Sequence, residues 1–148
     1  MHLALLCTGG VLAAASLAQT PDAMWLAGDS HVHSHWSPGY DRSTSPPIPI
    51  PGRDALYPTP LNAKNAQRFG LSWMVTTDHG GPFHSKLNLT QAYPELVESR
   101  RSVPDVLQFY GMELNMPGMD HHTLIIPRVD FEASALYDLE SRFDANEV

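Results

Sequence analysis

Four apolar runs recur along the chain, and each abuts polar residues of a particular kind. Met24 to Ala27 runs into Gly28-Asp29 and the stretch SHVHSHW. Leu71 to Thr77 (LSWMVTT) ends at Asp78-His79. Val106 to Leu114 (VLQFYGMEL) carries Glu113 near its end, and Thr123 to Ile126 follows His121-His122. Short apolar runs bounded by turn-forming residues predict buried strands, the first extending from Met24 as far as His33. Between them the pattern turns helical. Thr59-Pro60 reads as an N-cap followed by proline at the first helical position, opening a helix over Leu61 to Phe69 that Gly70 stops. A second helix is expected within Leu89 to Ser102, with Pro94 near its start or at a kink. A third is expected over Ser134 to Phe143, where Ala135, Leu136, Leu139 and Phe143 form one stripe. Residues 37 to 60 hold seven of the thirteen prolines, which predicts a long loop with no regular strand or helix.

Strands alternating with helices predict an α/β fold with a largely parallel sheet. In such folds the chemistry gathers at the carboxyl ends of the strands. His31 and His33 alternate in an extended chain and so share one face. Asp78 and His79 end the second strand and Glu113 the third. His121 opens the fourth, and it returns to the same end of the sheet if that strand runs antiparallel to the third. Imidazole and carboxylate donors without thiolate suit Zn, Mn or Fe(II). Two such ions bridged by a glutamate can hold a hydroxide and clamp the oxygens of a phosphoryl group.

Composition narrows the classes. The chain has 148 residues, of which 43% are hydrophobic, enough to build the core of one domain. Its net charge of −7 offers no basic nucleic-acid surface, so a nucleic-acid partner is not expected. Cys7 is the single cysteine, which excludes an internal disulfide and a thiolate zinc cluster. Residues 1–18 contain no Lys, Arg, Asp or Glu and end in Ser16-Leu17-Ala18. They read as a signal peptide ahead of a domain over residues 19–148, which predicts an exported protein, periplasmic or extracellular, with no membrane span after cleavage. Asn88-Leu89-Thr90 matches a glycosylation sequon. The oligomeric state is left open.

The ordered set HVH, TTDHG, GMEL and a following histidine resembles the first motifs of the polymerase and histidinol phosphatase (PHP) family. The likeness spans Gly28 to Ile126. It implies a distorted (β/α)7 barrel, two or three divalent metal ions (Zn, Mn or Fe), and hydrolysis of a phosphorylated small-molecule substrate by metal-bound hydroxide. By that resemblance His31 and His33 bind the first metal, Glu113 bridges the first and second, and His121 binds the second, with His122 as the fallback. His79 serves a third site, and Asp78 supports it or accepts a proton. The two other readings are a metal-dependent amide or ester hydrolase on a similar barrel and a metal-binding module without turnover. Two departures stand out. Many relatives carry Ser-Asp-Gly shortly after HxH, where this chain has Ser37-Pro38-Gly39, leaving His35 or Asp41 as candidate substitutes. The later motifs, including an Asp-x-His, are absent before Val148, so the likeness implies the N-terminal portion of a barrel, incomplete and weak in turnover by itself.

The small-residue site at Ala18 predicts that exported protein begins at Gln19. N-terminal sequencing checks this, and an intact Met1 on soluble cytoplasmic protein would contradict it.

Overall fold

The computed structural model describes residues 24–118 and 120–148. The signal-peptide expectation for residues 1–18 lies outside them. The fold is mixed α/β, built on a curled, mostly parallel sheet of four strands. In chain order the elements are strands β1 (Gly28–Val32), β2 (Gly39–Asp41) and β3 (Ile48–Ile50), helix α1 (Thr59–Arg68), strand β4 (Trp73–Thr76), helix α2 (His84–Leu87), a π-helical turn (Asn88–Ala92), helix α3 (Tyr93–Ser102), strands β5 (Leu107–Asn115) and β6 (His121–Ile126), and helix α4 (Glu132–Phe143). The main sheet runs β1-β4-β5-β6. β4 is parallel to β1 and β5, while β6 is antiparallel to β5 with Glu113 opposite Thr123 and Asn115 opposite His121. The carboxyl ends of β1, β4 and β5 and the start of β6 therefore share one rim. An incomplete barrel is compatible with this sheet.

The strand alternation decides which side chains face where. Along β5, Tyr110, Met112 and Leu114 are buried with Leu96, Ile126 and Leu136, so α3 and α4 cover that face. Gly111 and Glu113, out of phase by one, face the other way. A second cluster of Ala63, Ala66, Met74, Val103 and Val106 packs α1 against β4. The uncovered face is concave. β1 and β6 are opposite edges of the sheet, three inter-strand steps or about 14 Å apart in a flat sheet. Yet the His31 ring nitrogen Nδ1 lies 3.0 Å from Thr123 Oγ1. Only curling brings those edges together.

Several expectations need correction. Met24 to Ala27 is exposed and lies outside the first strand, which begins at Gly28. The proline-rich segment contains regular structure after all, the antiparallel pair β2–β3. An isolated two-stranded ribbon spares each edge its ladder partners, so Pro49 removes no needed donor. Thr59 does not cap α1 with its side chain. Its N–H donates instead to Glu95 Oε1 at 2.7 Å, from α3. The second helical region starts at His84, earlier than expected, and runs through the π turn into α3. Proline lacks the donor that an i−4 carbonyl needs, and a local π turn is one way a helix absorbs that loss; Pro94 stands two residues past this turn. Asn88 is buried, donating to Glu140 Oε2 and accepting from the Tyr110 hydroxyl, so the sequon is a core hydrogen-bonding group.

Among the described residues no helix is long and apolar enough to cross a membrane. The core instead holds a fully buried ion pair, with His84 Nδ1 2.5 Å from Glu140 Oε1. Removing one member of such a pair leaves the other uncompensated. Glu140→Ala should therefore cost about 3–5 kcal/mol in urea unfolding. Burial pulls the His84 pKa down, but Glu140 alongside outweighs it and the net shift is upward. A raised folded pKa makes the stabilisation complete below about pH 6.5 and loses it as pH rises through the folded value. His84→Gln should flatten the decline of stability above about pH 6.5; an unchanged slope would contradict the assignment.

Candidate metal centre

The rim gathers five imidazole and carboxylate side chains from four strands or strand ends. Glu113 is the centre. Its Oε2 lies 3.0 Å from His33 Nε2, 3.1 Å from His31 Nε2 and 3.5 Å from His79 Nδ1. Its Oε1 lies 2.6 Å from His121 Nδ1. Thus one carboxylate presents each oxygen to a separate set of imidazoles. The sets form three groups, His31–His33–Glu113, His33–Asp54–His79 and His79–Glu113–His121, with the donor atoms of each group within 4.8 Å of one another.

Local backbone geometry places each donor. β1 delivers His31, and His33 follows its last residue. His79 lies beyond β4, where the backbone continues in register with β5 through a parallel bridge to Glu113. That bridge is held by Glu113 N–H donating to Asp78 O at 2.9 Å and Gly80 N–H donating to Glu113 O at 3.0 Å. Gly80 and Gly81 leave no room for side chains. A Cβ on Gly80 would lie 2.0 Å from Asp144 Oδ2, and one on Gly81, at φ +141°, would lie 2.3 Å from the Tyr40 oxygen. Period two separates the adjacent pair on β6. His121 shares the concave face with Thr123. His122 shares the opposite face with Leu124 and Ile126, which pack on the core.

Asp78 is fully buried, its carboxylate accepting the Ser34 N–H at 2.5 Å and the Ser34 hydroxyl at 2.8 Å. Burial raises its pKa, partly offset by those two bonds. It belongs to none of the three donor groups and fixes the turn that follows His33. Neither His35 nor Asp41, the candidate substitutes for an acidic ligand after HVH, reaches the cluster. His35 Nε2 is bound to Glu95 Oε2 at 2.8 Å, and Asp41 accepts the Ser43 N–H on the β2–β3 ribbon. The residue that sequence reasoning missed is Asp54. Its Oδ2 lies 2.8 Å from His33 Nδ1 and accepts the Ser37 hydroxyl at 2.7 Å, while Ser37 Oγ in turn accepts the His79 N–H at 3.1 Å. A faint signal existed, since Asp54 is the single acidic residue between Asp41 and Asp78.

The electrostatics leave the donors ready to bind a cation. Burial would raise the Glu113 pKa, but the hydrogen bond from His121 and the surrounding imidazoles outweigh it, and the net shift is downward. Asp54 behaves alike, its burial outweighed by Ser37 and His33. Burial is the leading reason that the His79 pKa falls, which keeps its lone pair free at neutral pH. Proton counting makes the same point. With Nδ1–H donated to Asp54, a neutral His33 ring would present a lone pair at Nε2. That nitrogen lies 3.0 Å from both His31 Nε2 and Glu113 Oε2. A single proton can bridge only one of those contacts, whereas a cation among them satisfies all three. The groups could hold a metal ion, and Asp54 behind His33 matches the carboxylate–histidine arrangement that orients metal ligands. No family model, curated protein or solved structure matches the chain.

His33→Ala or Glu113→Ala should abolish metal retained after gel filtration, measured by elemental analysis. Asp54→Asn should weaken metal affinity about 10–100-fold. His121→Ala should lower the bound metal while His122→Ala leaves it unchanged; equal effects would contradict the assignment by strand face.

Proposed function

We propose that this chain is a metal-dependent hydrolase of PHP type acting on phosphoesters of small molecules, after export from the cytoplasm. The observation that carries the reading is the Glu113 carboxylate, which turns one oxygen towards His31, His33 and His79 and the other towards His121. A carboxylate so placed suits two ions a few ångströms apart, the spacing that serves in-line displacement at phosphorus. His31, His33 and Glu113 would hold one ion, and His79, Glu113 and His121 the other. Such ions supply Lewis acidity and ionise water near neutral pH.

The chain's own residues do the rest. Asp54 holds the His33 ring by its Nδ1–H and so keeps Nε2 aimed at Glu113. Thr123 orients His31 in the same way from across the concave face. Asp78 anchors Ser34 and with it the carbonyl side of the His33 turn, and Asn62 Nδ2 donates to the His33 carbonyl at 3.0 Å. We assign Asp78 this positioning role. The ordered motifs HVH, TTDHG and GMEL also support the reading, since the residues they contain are those that meet at the rim.

The test is turnover of a phosphomonoester panel by protein stripped with chelator and reloaded with Mn or Zn. Activity should return with metal, and Glu113→Gln should lower kcat about 100-fold or more, the scale of losing a group that orients the reacting centre. Metal-independent turnover, or full activity in Glu113→Gln, would overturn the proposal. Hydrolysis of carboxylic esters or amides but not phosphoesters would replace it with the acyl-transfer reading.

A further inference from the structure

Beside the cluster lie two hollows, and one cation stands between them. The larger, about 660 Å³, is bordered by His79 on the cluster side and by Pro38, Tyr40, Pro47 and Pro82. The smaller, about 450 Å³, is bordered by His121, Met116 and Pro117. Arg42 lines both. His79 and His121 are the two imidazoles of one donor group, with ring centroids 5.3 Å apart. Arg42 therefore occupies the wall common to the two spaces that open on that group.

Its guanidinium is uncommitted. Arg100, Arg101 and Arg142 each have a carboxylate partner, but Arg42 makes no ion pair or side-chain hydrogen bond among the described residues. Of the carboxylates near it, Asp120 borders the smaller hollow with Arg42 but makes no ion pair with it, and two others are engaged elsewhere. Asp41 accepts the Ser43 N–H, and Glu147 accepts both the N–H and the hydroxyl of Ser85. Arg53, Arg68 and Arg128 likewise make no ion pair among the described residues, and what distinguishes Arg42 is its place on the wall of both hollows beside the cluster. Guanidinium presents a planar fork of donors that matches phosphate and carboxylate oxygens. The ribbon that carries it is braced, because the Tyr40 hydroxyl donates to Gly80 O at 3.2 Å, next to His79. Proline and tyrosine rings on the remaining wall offer apolar contact to an organic group.

We propose that Arg42 is the second anchor of the substrate. It pairs with an anionic oxygen that the cluster does not hold, while the organic substituent lies in the larger hollow against Tyr40, Pro38, Pro47 and Pro82. The β2–β3 ribbon is then the specificity element of the site. The phosphoryl version rests on the proposed phosphoesterase reading, whereas the anion anchor does not.

The experiment measures binding by calorimetry to Mn-loaded protein, using inorganic phosphate, phenylphosphonate (whose C–P bond resists hydrolysis) and benzoate. A charge-assisted hydrogen bond contributes about 1.5–3 kcal/mol, or about 10–100-fold in affinity. Arg42→Ala should weaken phosphate and phenylphosphonate by that factor, Arg42→Lys should fall between, and bound metal should be unchanged in both. Wild-type protein should bind phenylphosphonate more tightly than phosphate. Equal affinities in wild type and Arg42→Ala would overturn the anchor and leave the phosphoesterase reading standing. Benzoate binding with the same dependence on Arg42, and no binding of either phosphorus probe, would keep the anchor and overturn the phosphoesterase reading. No binding of any probe would overturn both.

Discussion

The site depends on the alternation of β5. Tyr110, Met112 and Leu114 are buried against α3 and α4, and that packing fixes the face on which Glu113 must emerge. A slip of one residue would exchange the two sets, burying the carboxylate and exposing the core. The register is pinned on both sides, by Thr76 opposite Tyr110 on β4 and by Thr123 opposite Glu113 on β6. Hydrophobic burial on one face thereby determines the position of a charged side chain on the other. The same register carries His121 inward and His122 outward, so the antiparallel pairing selects between two adjacent histidines.

Curling is the second requirement. The donors come from β1, from the end of β4, from β5 and from β6, and in a flat sheet the outer two could not meet. The contact of His31 with Thr123 joins one edge of the sheet to the other over Glu113. Converging imidazoles and carboxylates carry a cost when no cation is bound, because their lone pairs face one another. Part of that cost is met by the hydrogen bonds that Asp54 and Thr123 make to the outer ring nitrogens. The folded chain fixes these groups through hydrogen bonds at the outer ring nitrogens and through the imidazoles set around both Glu113 oxygens.

Much of this was legible in the sequence because it follows from local periodicity. Three of the four apolar runs gave strands within a few residues, Met24 to Ala27 lying exposed outside β1, and the alternation of His31 and His33 gave a shared face. The antiparallel return of β6 was legible only as a condition, since nothing local states which way a short apolar run will pair. What stayed hidden came from long-range contacts. Asp54 is 21 residues from His33, in a segment whose prolines argued against order. Its place depends on Ser37, which also receives the His79 N–H. Glu95 is a comparable case. It binds His35 with one oxygen and the first N–H of α1 with the other, so it replaces the side-chain cap expected from Thr59 and keeps His35 out of the His/Glu cluster. The extended helical start at His84 was hidden for the same reason, since the segment is held by Glu140 and Glu147 from far along the chain.

The central proposal is that Glu113 joins two cation sites through its two oxygens. Anomalous diffraction from crystals of the chain grown with Mn or Zn tests it most directly. The account predicts anomalous peaks at about 2.0–2.2 Å from the ligand atoms, one among His31, His33 and Glu113 and another among His79, Glu113 and His121, with Glu113 contributing a different oxygen to each. Crystals that contain the metal at saturating concentration and yet show no peak at Glu113, or peaks confined to other surfaces, would contradict it.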